Sequence, residues 1–63
     1  LPDLTLALPI NGKHGLYIEM KTEKGTLQKE QIKYRDLLQK VGYNWELCRS
    51  LEQFKTIINN YLN

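Results

Sequence analysis

Two short runs of alternating apolar residues, with a turn-rich stretch between them, constrain the fold of this chain more than any other feature it has. Leu4, Leu6 and Leu8 alternate with Asp3, Thr5 and Ala7, and Leu16, Ile18 and Met20 alternate with Tyr17, Glu19 and Lys21. A period of two marks half-buried β-strands. The intervening Pro9-Ile10-Asn11-Gly12-Lys13-His14-Gly15 is rich in turn formers, so an antiparallel hairpin is expected. If the two apolar sets share the buried face, then Asp3, Thr5, Ala7, Tyr17, Glu19 and Lys21 share the other.

That face carries charge. A symmetric closure sets Asp3 opposite Lys21 and diagonal to Glu19, with about 7–8 Å between side-chain roots. Two carboxylate arms can converge across such a gap on one small cation, whose oxygen ligands lie at about 2.0–2.1 Å when it is magnesium. Lys21 stands beside it. Carboxylates this close repel, and one takes a raised pKa unless a cation compensates. The alternative is an exposed charged face with a cross-strand ion pair, which contributes only ~0–1 kcal/mol.

Downstream, good helix formers run from Leu27 or Gln28 to Val41, and Gly42 is placed to close the helix at C′. Leu27, Gln31, Tyr34, Leu38 and Val41, widened by Leu37, form the expected buried stripe. Its one polar member, Gln31, either packs over the charged edge of the hairpin or reaches solvent. Tyr43 to Cys48 reads as a third strand, with Trp45 and Leu47 on one face, Glu46 and Cys48 on the other, and Trp45 as a core residue. Ser50 and Gln53 fit a capping box at the start of a terminal helix. Leu51, Phe54, Ile57, Ile58, Tyr61 and Leu62 make its apolar face. The fold class is therefore α/β, a small mixed sheet built from β-hairpin, helix, strand and helix. The strand-helix-strand crossover makes the second and third strands parallel with a right-handed connection.

Length and composition bound the rest. Sixty-three residues allow one domain, and a chain this short buries only about 60% of its unfolded surface. Cys48 is the only cysteine, so no disulfide forms within the chain, and a reducing, intracellular compartment fits. No apolar run approaches the ~20 residues of a membrane span, and no signal peptide is present. A net charge of +2 is compatible with nucleic-acid binding without demanding it. Lys13 and His14 in the hairpin loop, Lys24 in the Thr22–Thr26 connection and Arg49 at the end of the third strand are the cations placed to touch a phosphate. For each, a solvated surface side chain is the commoner outcome.

Pro2-Asp3 followed by Glu19-Met20-Lys21 resembles the P-D…E-x-K signature of the metal-dependent restriction-endonuclease-like superfamily. Gly15 through Thr22, then Gly25, Leu27, Gln31, Gly42 and Cys48-Arg49-Ser50, resemble the virus-type replication-repair nuclease (VRR-NUC) module. The resemblance implies a restriction-endonuclease-like core, here lacking its N-terminal helix and strand, and a metal-dependent endonuclease that cuts DNA, branched or junction DNA in particular. It implies Mg²⁺ or Mn²⁺ held by Asp3, Glu19 and the Met20 backbone carbonyl, with Lys21 and Gln31 completing the catalytic set. It also implies the cytoplasm of a bacterial or phage-infected host, and a homodimer.

The chain opens on Leu1-Pro2-Asp3 without an initiator Met, which reads as one domain over residues 1–63, truncated at its N-terminus. The alternatives to an active nuclease are a non-catalytic nucleic-acid-binding or assembly module that keeps the fold, and a small interaction domain whose charged strand face is only solvated. An unpaired edge at Leu1–Leu8, together with Trp45, Phe54, Tyr61 and Leu62, offers more apolar surface than one small sheet hides. A two-fold homodimer, or a complex with a missing segment, is therefore expected.

Overall fold

The computed structural model describes all 63 residues. The elements are β1 (Leu4–Leu6), β2 (Leu16–Met20), α1 (Lys29–Lys40), β3 (Asn44–Cys48) and α2 (Leu51–Leu62). They form a three-stranded mixed sheet in the order β1-β2-β3, with β1 antiparallel and β3 parallel to β2. The expected α/β architecture and element order are thus present.

The hairpin is more elaborate than one loop between two equal strands. β1 ends at Leu6 rather than Leu8, and a separate tight turn follows it. Ile10 and Lys13 exchange both backbone hydrogen bonds, at 3.1 and 2.9 Å. Asn11 and Gly12 between them both have positive φ, 51° and 80°. That is the two-residue geometry for which Asn-Gly is the preferred pair, because Gly carries no Cβ and Asn tolerates the left-handed region.

The register corrects the expected closure. Leu4 pairs with Ile18 and Leu6 with Leu16, so one further step sets Asp3 against Glu19, not Lys21. The Ile10–Lys13 turn continued along the strands would set Asp3 against Met20, so a one-residue offset between that turn and the ladder brings Asp3 opposite Glu19.

Alternation then divides the strands between two faces. On one face Leu16, Ile18, Cys48 and Tyr61 form the buried cluster, with Leu6, Ile10, Phe54, Ile57 and Ile58 packed around it. This is the layer under α2. Ser50 caps that helix by accepting a hydrogen bond from the Gln53 N–H at 3.1 Å. Only half of the expected capping box forms, because Gln53 Oε1 accepts from the Arg49 N–H, at 2.6 Å. At the far end of α2 the buried Tyr61 donates its hydroxyl to the Leu8 carbonyl, tying the last turn of the helix to the segment after β1. Leu51 and Leu62, expected on the apolar face, are exposed.

α1 covers the opposite face, so the molecule has three thin layers. It lies one residue or so inside its expected bounds, with Val41 as C-cap and Gly42 at φ 98° just beyond. Its packed side is rotated from the expected stripe. Gln31, Arg35 and Leu38 are half-buried against the sheet, whereas Tyr34, Leu37 and Val41 are exposed. The polar face of β2 explains this, since a helix over Glu19 packs with groups that can hydrogen-bond, and the amide of Gln31 does so. Arg35 stands over the Trp45 ring at 6.0 Å.

Trp45 and Tyr61 are themselves buried, at 8% and 5% exposure. The expected apolar surplus is found at Leu62 and along Leu1, Leu4 and Leu8, and the outer side of α1 adds to it, with Leu37 54% exposed. No helix is long and apolar enough to cross a membrane.

Candidate active site

Glu19 is the one charged side chain that the fold buries, at 4% exposure. It sits one residue before the end of β2, on the face under the N-terminal end of α1. Gln31 Nε2 donates to Glu19 Oε2 at 2.9 Å, and Gln31 Oε1 accepts from the Gln28 backbone N–H at 2.8 Å. The amide therefore links the first turn of α1 to the carboxylate and holds its orientation. Of the two readings of Gln31, the one that packs it over the hairpin edge is observed.

Asp3 reaches the same place from the other strand. Its Oδ2 accepts the Met20 N–H at 2.8 Å. Strand alternation makes this bond available. The Lys21 N–H donates across to the Cys48 carbonyl on the β3 side, so the polar backbone groups of the neighbouring Met20 turn toward β1. The Met20 carbonyl points to the same side as its N–H. Asp3, Glu19 and the Met20 carbonyl therefore share one end of the β1–β2 ladder.

This arrangement strains the charge state of Glu19. Its pKa lies above the ordinary value of 4.5, first because burial penalises the charged form, then because Asp3 shares a hydrogen bond with it and repels it. Lys21 and the amino terminus act in the opposite direction without cancelling the rise. The sole ion pair within 4 Å joins sequence neighbours, Arg35 and Asp36. The purely solvated charged face with a cross-strand ion pair is therefore not what the chain forms.

The remaining cations divide. Lys13 follows the tight turn, and Lys24 lies in an exposed turn after β2. His14 is exposed, but its ring packs edge-on to Tyr43 at 5.6 Å. It also fills the space a Cβ on Gly42 would take, 2.7 Å away. Arg49 is not a free cation, because its Nη1 donates to the carbonyls of Thr22, Glu23 and Gly25 at 2.8, 3.2 and 2.7 Å. Sequence reasoning missed this clamp, since nothing local to Arg49 indicates a partner more than twenty residues away. The largest cavity, about 460 Å³ between β3 and α2, does not include Asp3, Glu19, Lys21 or Gln31. The chemistry-bearing groups instead gather at one end of the β1–β2 ladder.

The VRR-NUC domain profile matches residues 1–52, more than four-fifths of the chain and every residue of this strand-end cluster. The chain belongs to the VRR-NUC family. Membership carries a nuclease-type function with it. No curated protein and no solved structure gave a significant match. Within this VRR-NUC domain no group of three or more His, Cys, Asp or Glu side chains gathers, so Asp3 and Glu19 are the only acidic side chains that converge on the shared end of the ladder.

Proposed function

We propose that this VRR-NUC domain is a divalent-metal-dependent endonuclease that hydrolyses phosphodiester bonds in branched or junction DNA. The observation that carries the reading is the Asp3–Glu19 pair. Each carboxylate is anchored by a hydrogen bond from the fold, and Glu19 is held out of water beside a second acid. Mutually repelling oxygen ligands at a strand end suit a hard cation, and with the Met20 carbonyl they make an oxygen-only set of the kind that binds Mg²⁺ or Mn²⁺. Such an ion, when bound, supplies polarisation of the phosphate and an acidified water.

The chain's own residues do the rest. Asp3 and Glu19 bind, and Gln31 fixes the rotamer of Glu19 so that its second oxygen stays available. Lys21 places a positive charge where the phosphorane-like transition state gathers negative charge. Lys13, His14 and Lys24 are the side chains offered to the phosphate backbone. A two-fold homodimer would present two such sites to the two strands of a junction. Sedimentation equilibrium at micromolar concentration tests this, since a clean, folded 7.4 kDa monomer contradicts it.

The meeting of only two carboxylates favours a second reading, a nucleic-acid-binding module that does not turn over. Incubating a four-way junction with Mn²⁺, and in parallel with EDTA, separates the two. Metal-dependent nicking supports the nuclease; junction binding without nicking supports the binding module.

A further inference from the structure

We propose that Arg49 is a positioning residue: its guanidinium holds the Thr22–Gly25 turn against the stem of Lys21 and so sets where the Lys21 ammonium stands beside Glu19. The inference rests on the reading of Lys21 as a catalytic residue. Three carbonyls of a single short turn, those of Thr22, Glu23 and Gly25, converge on one nitrogen of Arg49. The turn is closed by only one bond of its own, from the Gly25 N–H to the Thr22 carbonyl at 3.2 Å. Without the guanidinium, the Glu23 and Gly25 carbonyls have no partner in the fold.

Gly25 is the part of the turn that meets Lys21. A Cβ built there would lie 3.6 Å from Lys21 Cδ and 3.0 Å from Thr22 Oγ1, so the side of Gly25 that lacks a Cβ faces the methylene stem of the lysine. The clamp is anchored at its other end, because the Arg49 N–H donates to Gln53 Oε1 at 2.6 Å in the first turn of α2. The Ser50 cap fixes that turn in its place. A mechanical path thus runs from the α2 N-terminus through Arg49 and the turn to Lys21. An arginine suits this task because its planar fork presents several donors in fixed directions and stays charged, whereas a lysine ammonium is one compact point on a flexible stem.

The test compares wild type with Arg49→Met and Arg49→Lys in the whole chain. NMR of the Lys21 side chain and amide exchange across Thr22–Gly25 are recorded without DNA, and kcat and KM are measured on a junction. The expected result is loss of dispersion in the Lys21 methylene signals and faster exchange across the turn in both variants. With it, kcat falls about tenfold or more, because small misplacements of a reacting group cost rate steeply. KM for DNA stays within about twofold. If Arg49→Met fails to fold, Arg49→Lys carries the same comparison.

Unchanged Lys21 signals in a folded variant would overturn the proposal, as would a raised KM with unchanged kcat, which would make Arg49 a direct DNA contact. A wild-type chain that cuts no DNA overturns the nuclease reading instead, and the Lys21 signals still decide this one.

Discussion

The two faces of the central sheet are built from the same strands, yet they are organised on opposite terms. Under α2, Leu16, Ile18 and Cys48 present only apolar or weakly polar groups, and Phe54, Ile57 and Ile58 close over them. On the opposite face Glu19 of β2 meets Gln31, Tyr17 packs edge-on to Tyr43, and β3 brings Trp45 to Arg35. α1 has no fully buried residue, whereas α2 contributes Tyr61 to the core. One face stabilises the domain by removing apolar area from water. The other uses part of that stability to hold a buried carboxylate beside a second one, which is costly without a cation.

Truncation on the α2 face should have the largest effect. Leu16 is fully buried, and Leu16→Ala should cost about 2–5 kcal/mol. For a domain this small that is enough to unfold it, and loss of the cooperative transition in urea would show it. A variant that melts like wild type would mean the core lies elsewhere.

The α1 face should respond differently, losing activity while keeping the fold. Lys21→Ala should lower kcat by about 10²–10³, the 2.7–4 kcal/mol of a comparable charge-stabilising group. Its melting temperature and metal affinity should stay at the wild-type values. Cleavage at the wild-type rate would reduce Lys21 to a surface residue.

Gln31→Ala sits between the two faces in its consequences. It removes the donor to Glu19 and the acceptor for the Gln28 N–H, and an unpaired buried carboxylate oxygen should cost about 1–3 kcal/mol. Thermal denaturation measures it, and an unchanged midpoint would show that water replaces the amide at no cost.

The smallest effect expected is one of pH. Because the folded protein holds the Glu19 proton more tightly than the unfolded chain, metal-free stability should fall as pH rises from about 4.5 through the raised folded value. Comparing wild type with Glu19→Gln isolates this slope from those of the other carboxylates. The variant should lack it, and identical slopes would place Glu19 in an ordinary, solvated environment.

How much of this was legible in the sequence differs between the same two faces. The middle of the α2 face was readable, because alternation in β2 and the Phe54-Ile57-Ile58-Tyr61 spacing both report apolar burial directly, whereas Leu51 and Leu62 at the helix ends lie beyond the sheet and are exposed. The α1 face misled the periodicity argument. Leu27, Gln31 and Leu38 of the expected stripe do face inward, but Tyr34, Leu37 and Val41 do not, and Arg35 takes their place over Trp45. The Asp3–Glu19 pairing was recognisable as a pair but not in its register, because a one-residue offset separates the Asn11-Gly12 turn from the β1–β2 ladder and a symmetric loop does not anticipate it. Arg49 was beyond reach, since its partners lie in a different connection and only the folded chain brings them to it.

The central claim is that Asp3 and Glu19 share one divalent cation, and calorimetric titration of the DNA-free protein with Mn²⁺ tests it most directly. Wild type should bind, and Asp3→Asn and Glu19→Gln should each lose most of that affinity while remaining folded, as Lys21→Ala should not. Unchanged Mn²⁺ affinity in both carboxylate variants would contradict the account.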